Sequence, residues 1–164
     1  MKKKLLHFGC GQNIIFGYDN VDINPPAEVR FDFNKFPYPL GDNTYDYIFS
    51  RHVLEHLREP EKVLNELHRI SKPGAIIDII VPHMNGDGAF SMLGHISYFN
   101  DYSFKCLVCN EGWRKSKGWK IIFIREEPTW FGKLIFIPSL RKKLSKMING
   151  IYKQLFVRLR VIKK

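Results

Sequence analysis

The sequence predicts an α/β fold: a mostly parallel sheet with helices on both faces, a three-layer sandwich in which the first helix is shortened or missing. Three observations predict it. A helical repeat sits between two buried apolar runs over residues 45–81, a glycine pair follows the first apolar run of the chain, and an aspartate ends the second. At 164 residues, with 45% hydrophobic and 26% charged content, the chain has the size of one globular domain able to bury a core, and residues 1–164 are expected to form it.

Lys4 to Phe8 is a short apolar stretch stopped by Gly9 and Gly11, which reads as a buried strand running into a tight loop. Asn20 to Ile23 is a second short strand, closed by Pro25 and Pro26, which cannot extend a ladder. Val29 to Phe33 reads as a third. Turn residues Pro39, Gly41, Asp42 and Asn43 precede a strongly apolar strand at Tyr45 to Ser50. Val63, Leu64, Leu67 and Ile70 then recur at helical spacing until Lys72-Pro73-Gly74 ends the pattern. Ala75 to Val81, broken only by Asp78, fits a parallel strand covered on both faces. Beyond it the pattern predicts a helix at Tyr102 to Cys109, a strand at Trp119 to Arg125, a basic amphipathic helix at Leu140 to Tyr152, and a final alternating strand at Phe156 to Ile162.

The segment HFGCGQN, residues 7–13, places two glycines one residue apart after a buried strand, where the backbone turns sharply and a ligand can approach. Asp22 ends the next strand, where an acid can accept both hydroxyls of a ribose. Asp32 and Phe33, at the end of the third, are placed to accept from an adenine amino group and to cover its ring. Three successive loops would then line one nucleotide-containing cofactor at the carboxyl ends of the strands, as in a Rossmann-like sheet.

These residues resemble the class I S-adenosylmethionine-dependent methyltransferases, in particular small members of the methyltransferase type 11 group. HFGCGQN is similar to the family's first motif, VDIN at 21–24 to its acidic ribose-binding motif, and YDYIFSRHVLEHL at 45–57 to its fourth strand and following loop. ISKPGAIIDIIVPH at 70–83 is similar to the helix end, turn and fifth strand, and GHISYFNDYSF at 94–104 to a segment of a subset. The resemblance implies S-adenosylmethionine as cofactor, touched by Gly9, Gly11 and Asp22, with Asp32 at the adenine and Ser50 near the methionine part. Two departures stand out. Gly11 and Asp22 are eleven positions apart, against about 20 when a full helix lies between them. A loop or single turn is therefore expected, its N–H groups meeting the cofactor carboxylate. His83 follows the fifth strand where an acid is commoner, which leaves the acceptor open.

Methyl transfer from a sulfonium is an in-line displacement whose leaving group is already activated, so the protein mainly supplies alignment. A hydroxyl acceptor would use a general base, and the candidates are His52, His56, His83 and His95. The choice is His95, because GHISYF lies in an insertion on the rim where an acceptor would enter. Glu55 and His56 read as a helix-start and packing pair rather than an acid/base dyad. Cys106 and Cys109 form a CxxC without a second pair, so no metal is expected. Trp113, Trp119 and Trp130 read as core, with Phe90, Tyr98 and Phe99 available to line an acceptor pocket. A dinucleotide-dependent oxidoreductase would show a third glycine and a full first helix, and both are missing. The remaining rival is a non-catalytic scaffold or binding protein that keeps the fold.

The net charge of +10 is confined to one end: residues 1–132 hold sixteen Lys/Arg against sixteen Asp/Glu, and residues 133–164 hold ten basic residues and no acid. That tail is expected to form a helix and an edge strand within the domain, with Arg158 and Arg160 protecting the edge. The stretch 140–164 could also rest on an anionic membrane surface. A small-molecule or glycan acceptor is expected and nucleic acid is not. The apolar run at Leu5 to Phe8 is too short for a signal sequence, and three cysteines fit a reducing compartment, so the expected location is cytoplasmic.

Overall fold

A computed structural model describes residues 3–108 and 118–163. Cys109 and Trp113 lie outside the described residues. Seven strands form one sheet in the order β3-β2-β1-β4-β5-β7-β6. These are β1 (Leu5–Phe8), β2 (Asp19–Asp22), β3 (Val29–Arg30), β4 (Tyr45–Arg51), β5 (Ser71–Pro82), β6 (Trp119–Pro128) and β7 (Tyr152–Val161). The first five are parallel to one another, and β7 runs antiparallel to both neighbours. The expected mostly parallel α/β sheet is therefore the architecture of the chain.

Period-two alternation sorts the side chains into rows that cross the sheet. Leu6, Ile48, Ile77 and Leu159 are consecutive register partners, and all four are fully buried. The next row of the same face runs Phe8, Ser50, Ile79, Val157, Ile124. Helix α1 (Pro60–Ile70) turns Val63, Leu64, Leu67 and Ile70 onto this face, and α2 (Asp101–Val108) adds Phe104 to the same cluster. Helix α1 begins with Pro60 at its first position, where a missing N–H costs nothing.

The layering differs from the expected sandwich in one respect. Among the described residues both helices of eight residues or more contribute to one cluster, and the opposite face carries the row His7, Phe49, Asp78, Arg158, Phe123. A helical layer would have come from the connections before β4, but residues 9–18, 23–28 and 31–44 hold no helix. Asp78 is kept on the half-covered face by Arg158, whose Nε and Nη2 donate to it at 2.7 and 2.6 Å, and by the Tyr47 hydroxyl at 2.7 Å.

The C-terminal part corrects two expectations. Strand β7 is interior, between β5 and β6, so the edge strand is β6, and Arg158 is a paired residue rather than an edge guard. The helix expected over 140–152 is α4 (Pro138–Leu144), with no buried residue. Asn85 explains where it stops: its Nδ2 donates to the carbonyls of Ser145 and Ile148, and its Oδ1 accepts from Ile151 and Tyr152 N–H. A four-residue helix, α3 (Trp130–Lys133), precedes it, capped by Thr129 accepting from Gly132 N–H. Trp130, expected in the core, is 77% exposed, whereas Trp119 is buried.

Candidate functional site

The loop after β1 begins at Gly9, whose amide, with that of Cys10, donates to the Val21 carbonyl and folds the chain back over β2. Gly9 has φ +74°, and a Cβ there would overlap the Val53 side chain, so the loop lies against the segment that follows β4. Gly11, at φ +51°, faces open space: a Cβ would meet nothing within 4 Å. No helix follows. Instead the side chain of Asn20, 1% exposed, serves the backbone groups that a helix would have satisfied. Its Oδ1 accepts from Ile15 N–H at 2.9 Å, and its Nδ2 donates to the carbonyls of Ile15 and Tyr18.

Asp22 ends β2 with its carboxylate turned toward the glycine loop, accepting Gly11 N–H at 2.8 Å and Asn24 N–H at 3.1 Å. Two lone-pair sites of the four remain for a ligand. A cleft of about 840 Å³ opens here, at the carboxyl ends of β1, β2 and β4. That lies within the roughly 300–1,000 Å³ of ligand pockets. Gly9, Gly11, Asp22 and Phe33 line it, so four sequence-predicted residues are brought together. Phe33 is held by stacking on Phe8, ring centroids 4.0 Å apart.

Three predicted residues lie off the wall of the cleft. Asp32, partly exposed, accepts Asn34 N–H at 2.9 Å in its own turn. Ser50 belongs to the core-facing row and is 1% exposed, while Arg51 and His52, the next two residues, line the cleft. His95 is buried behind His56, their rings edge to face with centroids 4.7 Å apart, and its Nδ1 donates to the Ala89 carbonyl at 3.0 Å.

Sequence reasoning missed His7 and left His52 undecided, and both line the cleft. His7 is buried against Phe49, and that burial holds its imidazole below the usual histidine range, hence neutral near pH 7. His52 sits at φ +55°, a conformation rare for a residue with a side chain, and its Nδ1 meets Glu55 Oε1 at 3.1 Å. The signal available in the sequence was position: both residues lie beside the motif segments. Burial and the charge of Asp22 push the Cys10 thiol up, so it stays protonated and is not a nucleophile. His83 is elsewhere, its Nδ1 accepting Asn85 N–H and its Nε2 3.4 Å from Glu126. Glu55 and His56 form a 3-10 turn, Leu54–His56, separate from α1. Phe90 and Tyr98 stack on each other, and neither these nor Phe99 lines the cleft.

The methyltransferase domain family matches residues 6–79 of the chain. Ajmaline N-methyltransferase of Rauvolfia serpentina is 38% identical over 64 residues, 37% of this chain and 21% of that protein, so the match spans about a fifth of the relative's length. An S-adenosylmethionine-dependent methyltransferase of Archaeoglobus fulgidus superposes with a TM-score of 0.64 over 97% of this chain and 86% of its own, at 18% identity. Phosphoethanolamine N-methyltransferase 2 of Haemonchus contortus, solved in complex with S-adenosyl-L-methionine, superposes with a TM-score of 0.64 over 100% of this chain and 50% of its own, at 17% identity. At these identities the structural likeness is one of fold.

Proposed function

We propose a function from one premise: the chain is a small relative of the class I S-adenosylmethionine-dependent methyltransferases, related to the methyltransferase domain over residues 6–79 and sharing their fold. It transfers a methyl group from S-adenosylmethionine to a small molecule or a glycan. The observation that carries this reading is the cleft, where the glycine loop and the Asp22 carboxylate face one another at the carboxyl ends of the parallel strands.

The residues present fit the cofactor. Asp22 keeps acceptor capacity for the ribose hydroxyls, the space beside Gly11 admits a group against the backbone, and Phe33 with Ile23 offers an apolar seat for the adenine. When bound, the cofactor supplies a methyl group on a positively charged sulfur that departs as a neutral thioether. The chain aligns the acceptor and takes its proton. His95, the base expected from sequence, sits behind His56 with one ring nitrogen committed. The base proposed is therefore His52, which lines the cleft and whose Nδ1 is oriented by Glu55, leaving Nε2 to receive a hydroxyl proton.

Further support for the acceptor class comes from the surface at the same end of the sheet as the cleft. Strand β6 runs in the same direction as β5, so residues 129–149 leave the sheet at the same end as the cleft. Trp130, Leu134, Phe136 and Met147 are exposed there, Phe136 by 86%, and the stretch carries Lys133, Arg141, Lys142, Lys143 and Lys146 with no acid. Apolar side chains ringed by lysine fit an anionic membrane surface, which suits a lipid-linked glycan as acceptor. Calorimetric titration with S-adenosylmethionine, S-adenosylhomocysteine and NAD tests the cofactor. Saturable binding of the two sulfur compounds alone is expected. If none of the three binds, the methyltransferase reading fails and a scaffold role replaces it.

A further inference from the structure

Among the described residues, Glu55 has a buried side-chain oxygen that no hydrogen-bond donor meets. The residue is 1% exposed, its Oε1 is taken by His52, and its Oε2 has no hydrogen-bond partner among the described residues. An unmet buried acceptor costs about 1–3 kcal/mol, and more when charged, so it points to a ligand that the fold itself does not supply.

Two imidazoles stand beside it, each oriented through Nδ1 by a backbone carbonyl. His56 Nδ1 donates to the Gly94 carbonyl at 3.1 Å, and His95 Nδ1 donates to the Ala89 carbonyl at 3.0 Å. A carbonyl can only accept, so each ring places a proton on Nδ1, and in its neutral form Nε2 is the nitrogen that can bind a metal. Backbone carbonyls that orient imidazoles in this way are the usual outer partners of metal-bound histidines. One ligand atom from each of Glu55, His56 and His95 lies within 4.8 Å of the others, a spread that small side-chain rotations close around an ion.

We propose that Glu55, His56 and His95 bind a divalent transition-metal ion beside the cofactor cleft. Two imidazoles and one carboxylate suit zinc, iron, manganese or cobalt, whereas magnesium and calcium prefer oxygen alone. Three protein ligands leave open positions, as sites that engage substrate do. His56 also lines the cleft, so the ion faces the space where an acceptor enters and polarises its oxygen. Glu55 then joins the two parts, orienting His52 through Oε1 and holding the ion through Oε2. The acceptor role of the ion rests on the methyltransferase reading, while the site itself does not.

Equilibrium dialysis of the tag-free chain against zinc, manganese and cobalt ions, with metal content read by mass spectrometry, tests the site. We expect one ion per chain and a rise in melting temperature with metal. His56→Ala changes an exposed residue and should keep the fold, yet weaken binding at least tenfold and abolish the thermal shift. His95→Ala and Glu55→Gln should do the same. The visible spectrum of the cobalt form should show nitrogen and oxygen ligation without a thiolate band, which excludes Cys10 and Cys106 as the ligands. No saturable binding by the parent chain, or equal binding by His56→Ala, overturns the proposal. Titration of S-adenosylmethionine in the presence of a chelator separates the two readings, since cofactor binding and metal binding can each fail alone.

Discussion

Asp22 shapes the cleft that it also lines. Its carboxylate receives the Gly11 and Asn24 amides, so the loop is drawn to the end of β2 before any ligand arrives. Asp22→Ala should therefore weaken S-adenosylmethionine binding roughly 10- to 100-fold, from a loss of about 1.5–3 kcal/mol per charged hydrogen bond. Calorimetry reads the affinity, and unchanged circular dichroism confirms the fold; an unchanged affinity would remove the ribose role. The place of Asp22 on the cleft wall was legible because an acid at the end of a strand beside a glycine pair faces the loop that the pair forms. Asn20 was not legible as the organiser of that loop, since its task depends on which backbone groups a missing helix leaves unpaired. Ser50 shows a different limit. Side chains alternate along a strand, so the motif located the cleft wall to within two residues but not the face, and Arg51 and His52 line it instead.

Elements with strong periodicity were readable, and those held by tertiary polar contacts were not. The stripe of α1 and the apolar runs of β1, β4 and β5 each matched a buried face. The basic helix ends early because Asn85 captures the backbone that follows it, an event invisible in local propensity. Lys142 ties α4 to the body by pairing with Asp101 at the start of α2, at 2.6 Å, and with Glu126 of β6, at 3.5 Å. Burial alone would raise the Asp101 carboxyl, but hydrogen bonds from Lys105 and Lys142 at 2.6 Å each outweigh that and hold it down at about 2. An unfolded aspartate titrates near about 3.9. A depressed folded value means that the tie stabilises fully above about pH 5 and is lost as the pH falls toward about 2. The stability difference between the parent chain and Asp101→Asn, from urea melts, should shrink across that window. A difference constant from pH 6 to 2 would show that the cluster is not formed in solution.

At the scale of the whole molecule, charge and apolar exposure meet at one edge of the sheet. Sequence composition located the basic excess, but only the course of β6 shows that residues 129–149 emerge at the end of the sheet where the cleft opens, with β5 and β7 between β6 and the strands of the cleft. Among the described residues no helix is long and apolar enough to cross a bilayer, so contact would be interfacial. Co-sedimentation with vesicles containing about a third phosphatidylserine should capture the chain at low salt and release much of it at high salt. Phe136→Asp with Met147→Asp should abolish capture; retention by neutral vesicles alone would argue for another use of this face. The position of β7 carries one more consequence. It is made after β6 yet lies between β6 and β5, with Leu155, Leu159 and Val161 fully buried. During synthesis β6 therefore has no place on the sheet until β7 has left the ribosome. A chain arrested near residue 150 would hold a sheet that stops at β5, with an unprotected edge and a loose, partly apolar β6 beside it, the kind of nascent species that invites chaperone capture.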